Sequence, residues 1–74
     1  MELFYLDHVR ERLIRREMTE EMIDNVLMNP QWMPSIGPST CYDCIVGGRR
    51  LRVVVAEEHH IPYLITAHWV SEEQ

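Results

Sequence analysis

His8, Arg12 and Arg16 stand four residues apart. In a helix that spacing puts them at i, i+4 and i+8, one imidazole and two guanidiniums in a row along one side. An imidazole titrates near neutrality and can take or give a proton, while a guanidinium grips phosphate oxygens with a planar fork. All seven basic side chains are Arg, and four of them fall within residues 8–16. A second group comes much later, Arg50 and Arg52 followed by Thr66 and His68. Each group could combine proton exchange with anion binding. Each also has an ordinary alternative: a capping histidine with solvated arginines for the first, and strand charge that blocks aggregation for the second.

The elements that carry these residues are readable. Residues 2–6 are short, aromatic and apolar, and suggest an edge strand. Asp7 is a plausible N-cap for a helix from His8 to about Glu17, with Leu6, Val9 and Leu13 on one stripe and the His8–Arg12–Arg16 row beside it. Thr19 caps a second helix, whose first turn carries Glu20 and Glu21 and whose apolar face is Met22, Ile23, Val26 and Leu27. Asn29-Pro30 ends it, because a residue before proline is pushed out of the helical region. The break between these helices is short, about two residues near Met18, and predicts an antiparallel or steeply crossing helical hairpin.

Residues 30–40 hold three prolines and a glycine and read as a loop. Three strand-like runs come after it. Cys41 to Val46 meets Gly47-Gly48, a two-residue hairpin signal; Arg49 to Glu57 is next; Glu58-His59-His60 turns into Ile61 to Val70. Period-two reading sends Leu51, Val53, Val55, Tyr63, Ile65, Ala67 and Trp69 toward the helices. It leaves Arg50, Arg52, Val54, Leu64, Thr66 and His68 on an open, mixed polar face. The expected fold is α+β in the order β-α-α-β-β-β, two helices on one face of a small, mainly antiparallel sheet, as one domain over residues 1–74.

Composition bounds the options. Seventy-four residues at 46% hydrophobic make a small core, of a size that often gains stability from a partner or from self-association. The net charge of −5 argues against non-specific nucleic-acid binding, although the clustering of Arg leaves room for a local positive patch. No apolar run reaches the roughly 20 residues of a membrane span, and the N-terminus lacks the pattern of a signal peptide, so a cytoplasmic protein without membrane association is expected. Cys41-Tyr42-Asp43-Cys44 with His59-His60 invites a zinc reading. Positions i and i+3 of a strand point to opposite faces, however, and the two histidines diverge in a turn, so no metal is expected. Nothing near either thiol would activate it as a nucleophile. Trp32, Met33 and Trp69 could stack on bases, yet aromatic and Met side chains in so small a chain usually belong to the core. The acidic pairs at 57–58 and 72–73 read as solvated faces.

With the elements in order, two stretches become familiar. One is His8-x3-Arg12-x3-Arg16-x-Met18-Thr19-Glu20-Glu21 with Val26-Leu27-x-Asn29-Pro30. The other is Gly47-Gly48-Arg49-Arg50-Leu51-Arg52-Val53-Val54-Val55 with Ile65-Thr66-Ala67-His68-Trp69. Together they resemble a small bacterial family of uncharacterised proteins similar to the RelE/ParE/BrnT toxin-like superfamily, over most of residues 5–70. The resemblance implies a compact fold and, in active relatives, metal-free and cofactor-free cleavage of RNA by toxin–antitoxin systems of bacteria or phage. RNA or the ribosome would be the target, and an antitoxin or other protein the partner. Where the resemblance leads one to expect a tyrosine in the last-strand motif, this chain has His68.

Such cleavage needs a base for the ribose 2′-hydroxyl, an acid for the leaving oxygen and cations for the charge on phosphorus. His8, Arg12, Arg16, Thr66 and His68 are the candidate catalytic residues, and Arg50 and Arg52 the candidate phosphate ligands. The competing class is a non-catalytic module that keeps the fold and binds a protein. Acidic net charge favours the module, and the His/Arg grouping favours the enzyme.

Overall fold

The computed structural model describes residues 3–70. Its elements are α1 (Asp7–Arg15), α2 (Glu20–Met28), β1 (Thr40–Val46), β2 (Arg49–Glu58) and β3 (Ile61–Trp69). The three strands form one antiparallel sheet in the order β1-β2-β3. Both helices lie on the same face, α1 against β3 and α2 against β1 and β2. Among the described residues no helix is long and apolar enough to cross a membrane. The first strand is reduced to a single parallel bridge between Phe4 and Tyr63, closed by Phe4 N–H to Pro62 O and Leu64 N–H to Phe4 O, each 3.0 Å. Glu2 and the 72–73 acidic pair lie outside the described residues.

Local chemistry explains most boundaries. The Thr19 hydroxyl accepts from Met22 N–H at 3.1 Å and caps α2, while Glu20 and Glu21 complement the positive end of its dipole. Gly47 and Gly48 take φ of 60° and 81°, the positive values that a two-residue hairpin turn demands. Asp7 does not cap α1. Leu6 occupies that position with extended backbone, and Asp7 is the first helical residue, its charge favourably placed in the first turn. Leu6 is 39% exposed, so the buried stripe of α1 is Val9 and Leu13 alone.

The end of α1 decides where Arg16 points. Arg16 is the C-cap and Glu17 turns left-handed at φ 60°. Met18 N–H reaches back to Leu13 O at 2.9 Å and Glu17 N–H to Ile14 O at 3.1 Å, the paired bonds of a Schellman motif. The hydrophobic contact that accompanies this motif is present too, since Leu13 and Met18 both belong to the buried core. Glycine normally takes the left-handed position, where an L side chain is disfavoured by roughly 1 kcal/mol. Glu17→Gly is therefore expected to raise stability by about 1 kcal/mol in a denaturant titration. A drop would show that the Glu17 side chain contributes something its exposed position does not reveal.

The core joins Val9, Leu13 and Met18 to Ile23, Val26 and Leu27 of α2 and to Leu51, Val53, Val55, Leu64 and Ala67 of the sheet. One parity differs from strict alternation. A β-bulge between Val54 and Val55 leaves Ile65 unpaired, so Val54 faces Thr66 but Val55 faces Leu64. Leu64, expected on the open face, is fully buried under the helices, whereas Ile65, expected in the core, is 37% exposed. Beyond the bulge the expected alternation holds, with Ala67 buried and Thr66 and His68 on the opposite side.

Candidate functional site

The face of the sheet away from the helices carries a row with one residue from each strand. Asp43 of β1 pairs with Arg52 of β2, and Arg52 pairs with His68 of β3. Directly opposed residues of antiparallel strands project to the same side, so the three side chains are neighbours. Arg50 stands two residues from Arg52 on β2, and Thr66 two from His68 on β3, again on this side.

Asp43 is the organising group. It is fully buried, at 0% exposure. Its Oδ2 accepts from Arg50 Nε at 2.7 Å and from Arg52 Nη2 at 2.8 Å, and its Oδ1 accepts from Arg52 Nε at 2.9 Å. Burial alone would raise its carboxyl, but the hydrogen bonds and charges of Arg52 and Arg50 outweigh that and hold it below the ordinary carboxylate range. Arg52 is raised in turn, first by its hydrogen bond to Asp43. Two guanidiniums are thereby laid across the sheet at fixed angles. Neither Arg52 Nη1 nor either Nη group of Arg50 makes a hydrogen bond among the described residues.

Arg16 reaches this face from the other layer. Arg16 N–H still bonds Arg12 O at 3.0 Å at the last position of α1, the chain turns away at Glu17, and the Arg16 side chain extends to β3. Trp69 Nε1 donates to Arg16 O at 3.0 Å, while Arg16 Nη1 donates to Ala67 O at 2.7 Å and to Thr66 Oγ1 at 3.3 Å. The guanidinium is thus held beside Thr66 and close enough to influence His68. The His68 imidazole is pushed below its ordinary value of 6.5, first by burial and then by the charges of Arg52 and Arg16, with Asp43 opposing. A half-buried imidazole with two guanidinium charges acting on it can accept a proton while the cations stabilise an anion beside it.

The sequence-derived residues thus divide. Arg16, Arg50, Arg52, Thr66 and His68 come together on the open face. His8 and Arg12 do not join them: His8 is exposed on α1, Arg12 is half-buried, and neither makes a side-chain hydrogen bond among the described residues. Arg16 ends the row and turns its guanidinium to β3, while His8 lies about 12 Å of helix rise away from it. Cys41 and Cys44 are free thiols at positions of opposite parity on β1, with Cys44 Sγ donating to Gln31 Oε1 at 3.2 Å. No group of three or more potential metal ligands occurs among the described residues.

Asp43 is the residue that sequence reasoning missed, absorbed into the cysteine motif around it. Trp32 is another. The loop returns to the sheet edge, where Gln31 N–H and Trp32 N–H both donate to Asp43 O and Asp43 N–H donates to Trp32 O. Trp32 and Met33, expected in the core, are 43% and 58% exposed, while Trp69 is half-buried against it.

No curated protein and no solved structure matches the chain. A family model does match, over residues 5–69, which takes in every element and every residue of the open-face cluster. The chain belongs to the family described as a domain of unknown function, DUF4258.

Proposed function

We propose that the protein is a toxin-like, metal-independent ribonuclease whose catalytic face is the Arg16–Arg52–Thr66–His68 cluster. The observation that carries this reading is the half-buried His68 side chain directly opposite Arg52 on the sheet, with Arg16 held on Thr66 and Ala67 beside it. Burial and these two charges push the imidazole below its ordinary value. Neutral at physiological pH, His68 takes the proton of a ribose 2′-hydroxyl. The freed oxygen attacks the adjacent phosphorus, the bond to the 5′-oxygen breaks, and the 5′-oxygen leaves with a proton from solvent. The products are a 2′,3′-cyclic phosphate and a 5′-hydroxyl. Arg16 and Arg52 stabilise the negative charge that builds on the phosphoryl oxygens, and Arg50 holds the neighbouring backbone. Thr66 fixes Arg16 through its hydroxyl.

Purified protein, free of any inhibitory partner, is expected to cut single-stranded RNA in the presence of a chelator and to leave cyclic-phosphate ends. Intact RNA under those conditions, across pH 6 to 8, overturns the assignment.

The second reading is a non-catalytic module of the same fold that binds a protein, an antitoxin included. Its support is apolar surface well away from the His68 cluster. Phe4 and Ile61, 55% and 58% exposed, line a cavity of about 400 Å³ together with Leu6, Tyr63, Glu58 and His59. The same RNA assay separates the two, because a module leaves RNA uncut.

A further inference from the structure

Trp32 stands in line with the His68 cluster. Its bridge to Asp43 extends the cross-sheet row by one position, to Trp32–Asp43–Arg52–His68. The Arg50 guanidinium carbon lies 4.2 Å from the centre of the Trp32 ring, which keeps the indole on the open face. The backbone on both sides of this contact is tied down. Trp32 shares two hydrogen bonds with Asp43, and Gln31 Oε1 accepts Ile45 N–H at 2.7 Å. An indole fixed this firmly and still 43% exposed is not filling the core. It is a flat apolar surface, backed by a cation, at the rim of an arginine-lined face.

We propose that Trp32, backed by Arg50, is a stacking platform for an unpaired base, so that the substrate is single-stranded RNA running across the strands along this row. Strands are spaced about 4.8 Å apart, so the backbones of Trp32 and His68 are about 14 Å apart. The platform therefore holds a base of a neighbouring nucleotide while the scissile phosphate lies at His68, Arg52 and Arg16. Stacking on an aromatic face is available to every base, so recognition is of single strands with weak sequence preference. A duplex keeps its base faces stacked within itself and cannot use the platform. The net charge of −5 opposes RNA at long range, so affinity has to come from stacking and a few local guanidiniums instead of a broad basic surface.

The inference rests on the ribonuclease reading for its substrate, yet it can be tested without cleavage. A fluorescently labelled 2′-O-methyl RNA octamer lacks the attacking hydroxyl and stays intact, and its binding is read by anisotropy. Wild type is expected to bind it more tightly than the corresponding duplex. Trp32→Phe should stay within about threefold of wild type, and Trp32→Leu, equally apolar but without a π-face, should lose roughly tenfold or more. Circular dichroism confirms that both variants are folded. Equal binding by Trp32→Leu and wild type overturns the proposal, as does a wild type that prefers duplex or binds neither. Cleavage of ordinary RNA is scored separately. Trp32-dependent binding without cleavage keeps the platform and removes the ribonuclease reading; cleavage that ignores Trp32 does the reverse.

Discussion

Asp43→Ala is expected to destabilise the fold by roughly 3 kcal/mol, at the lower end for breaking a buried ion pair. The carboxylate is fully buried, but the side chains of Arg50 and Arg52 are 29% and 18% exposed. They can therefore recover some hydration once Asp43 is gone, which keeps the loss from being larger. A domain of this size is stable by only about 4 to 11 kcal/mol in all. In a thermal melt the variant should therefore lose roughly 15 °C. The arginines, not the missing volume, are held responsible, and this can be checked. Asp43→Leu combined with Arg50→Met and Arg52→Met removes charge from both sides and should recover much of the loss, since replacing a whole buried ion cluster by apolar groups is often neutral. The pH dependence has a definite sign. The folded-state carboxyl lies below its unfolded value, so the unfolded chain binds the proton more readily. The stabilisation from Asp43 is fully present above about pH 4 and fades as pH falls toward the folded value. A melt of Asp43→Ala within 3 °C of wild type at pH 7 would remove Asp43 from the centre of this face.

The role of Asp43 is hidden in the sequence for a physical reason. The Gly47-Gly48 turn is legible, and a two-residue hairpin fixes the register on both sides of it. Counting outward from Val46 opposite Arg49 sets Asp43 opposite Arg52. The acid–base pair is therefore within reach of the letters, but the flanking cysteines draw attention toward metal. Thr19, the stop at Asn29-Pro30 and the open-face positions of Arg50, Arg52, Thr66 and His68 are legible because each obeys a local rule. Two features are not. The bulge at Ile65 exchanges the faces of Leu64 and Ile65, and neither a glycine nor a proline marks it. The end of α1 is made by Glu17 where glycine would be expected, so the helix reads slightly too long, and no side-chain pattern shows that the Arg16 guanidinium reaches across to β3. Trp32 is misplaced for a related reason. Loop residues are anchored here by backbone bonds to a strand edge, and no side-chain pattern announces such bonds.

The largest kinetic effect is expected at His68. If it is the base, His68→Ala should lower the cleavage rate by roughly 10²- to 10⁴-fold. His68→Gln should do as badly, because an amide fills similar space and hydrogen-bonds but cannot carry the proton. Melting temperatures close to wild type for both would separate lost chemistry from lost structure. The wild-type rate should fall on the acid side with an inflection below 6.5, since burial and the charges of Arg52 and Arg16 make the imidazole harder to protonate. Removing one cation then makes a prediction that a merely structural role for His68 would not share. In Arg16→Gln the imidazole should become easier to protonate, so the acid limb should move to higher pH even as the maximal rate drops. The same upward movement should appear in an NMR titration of the His68 ring, which reads the group without reference to RNA. A rate limb that stays fixed while the ring titration moves would mean that another group takes the proton, and His68 would lose its assignment as the base.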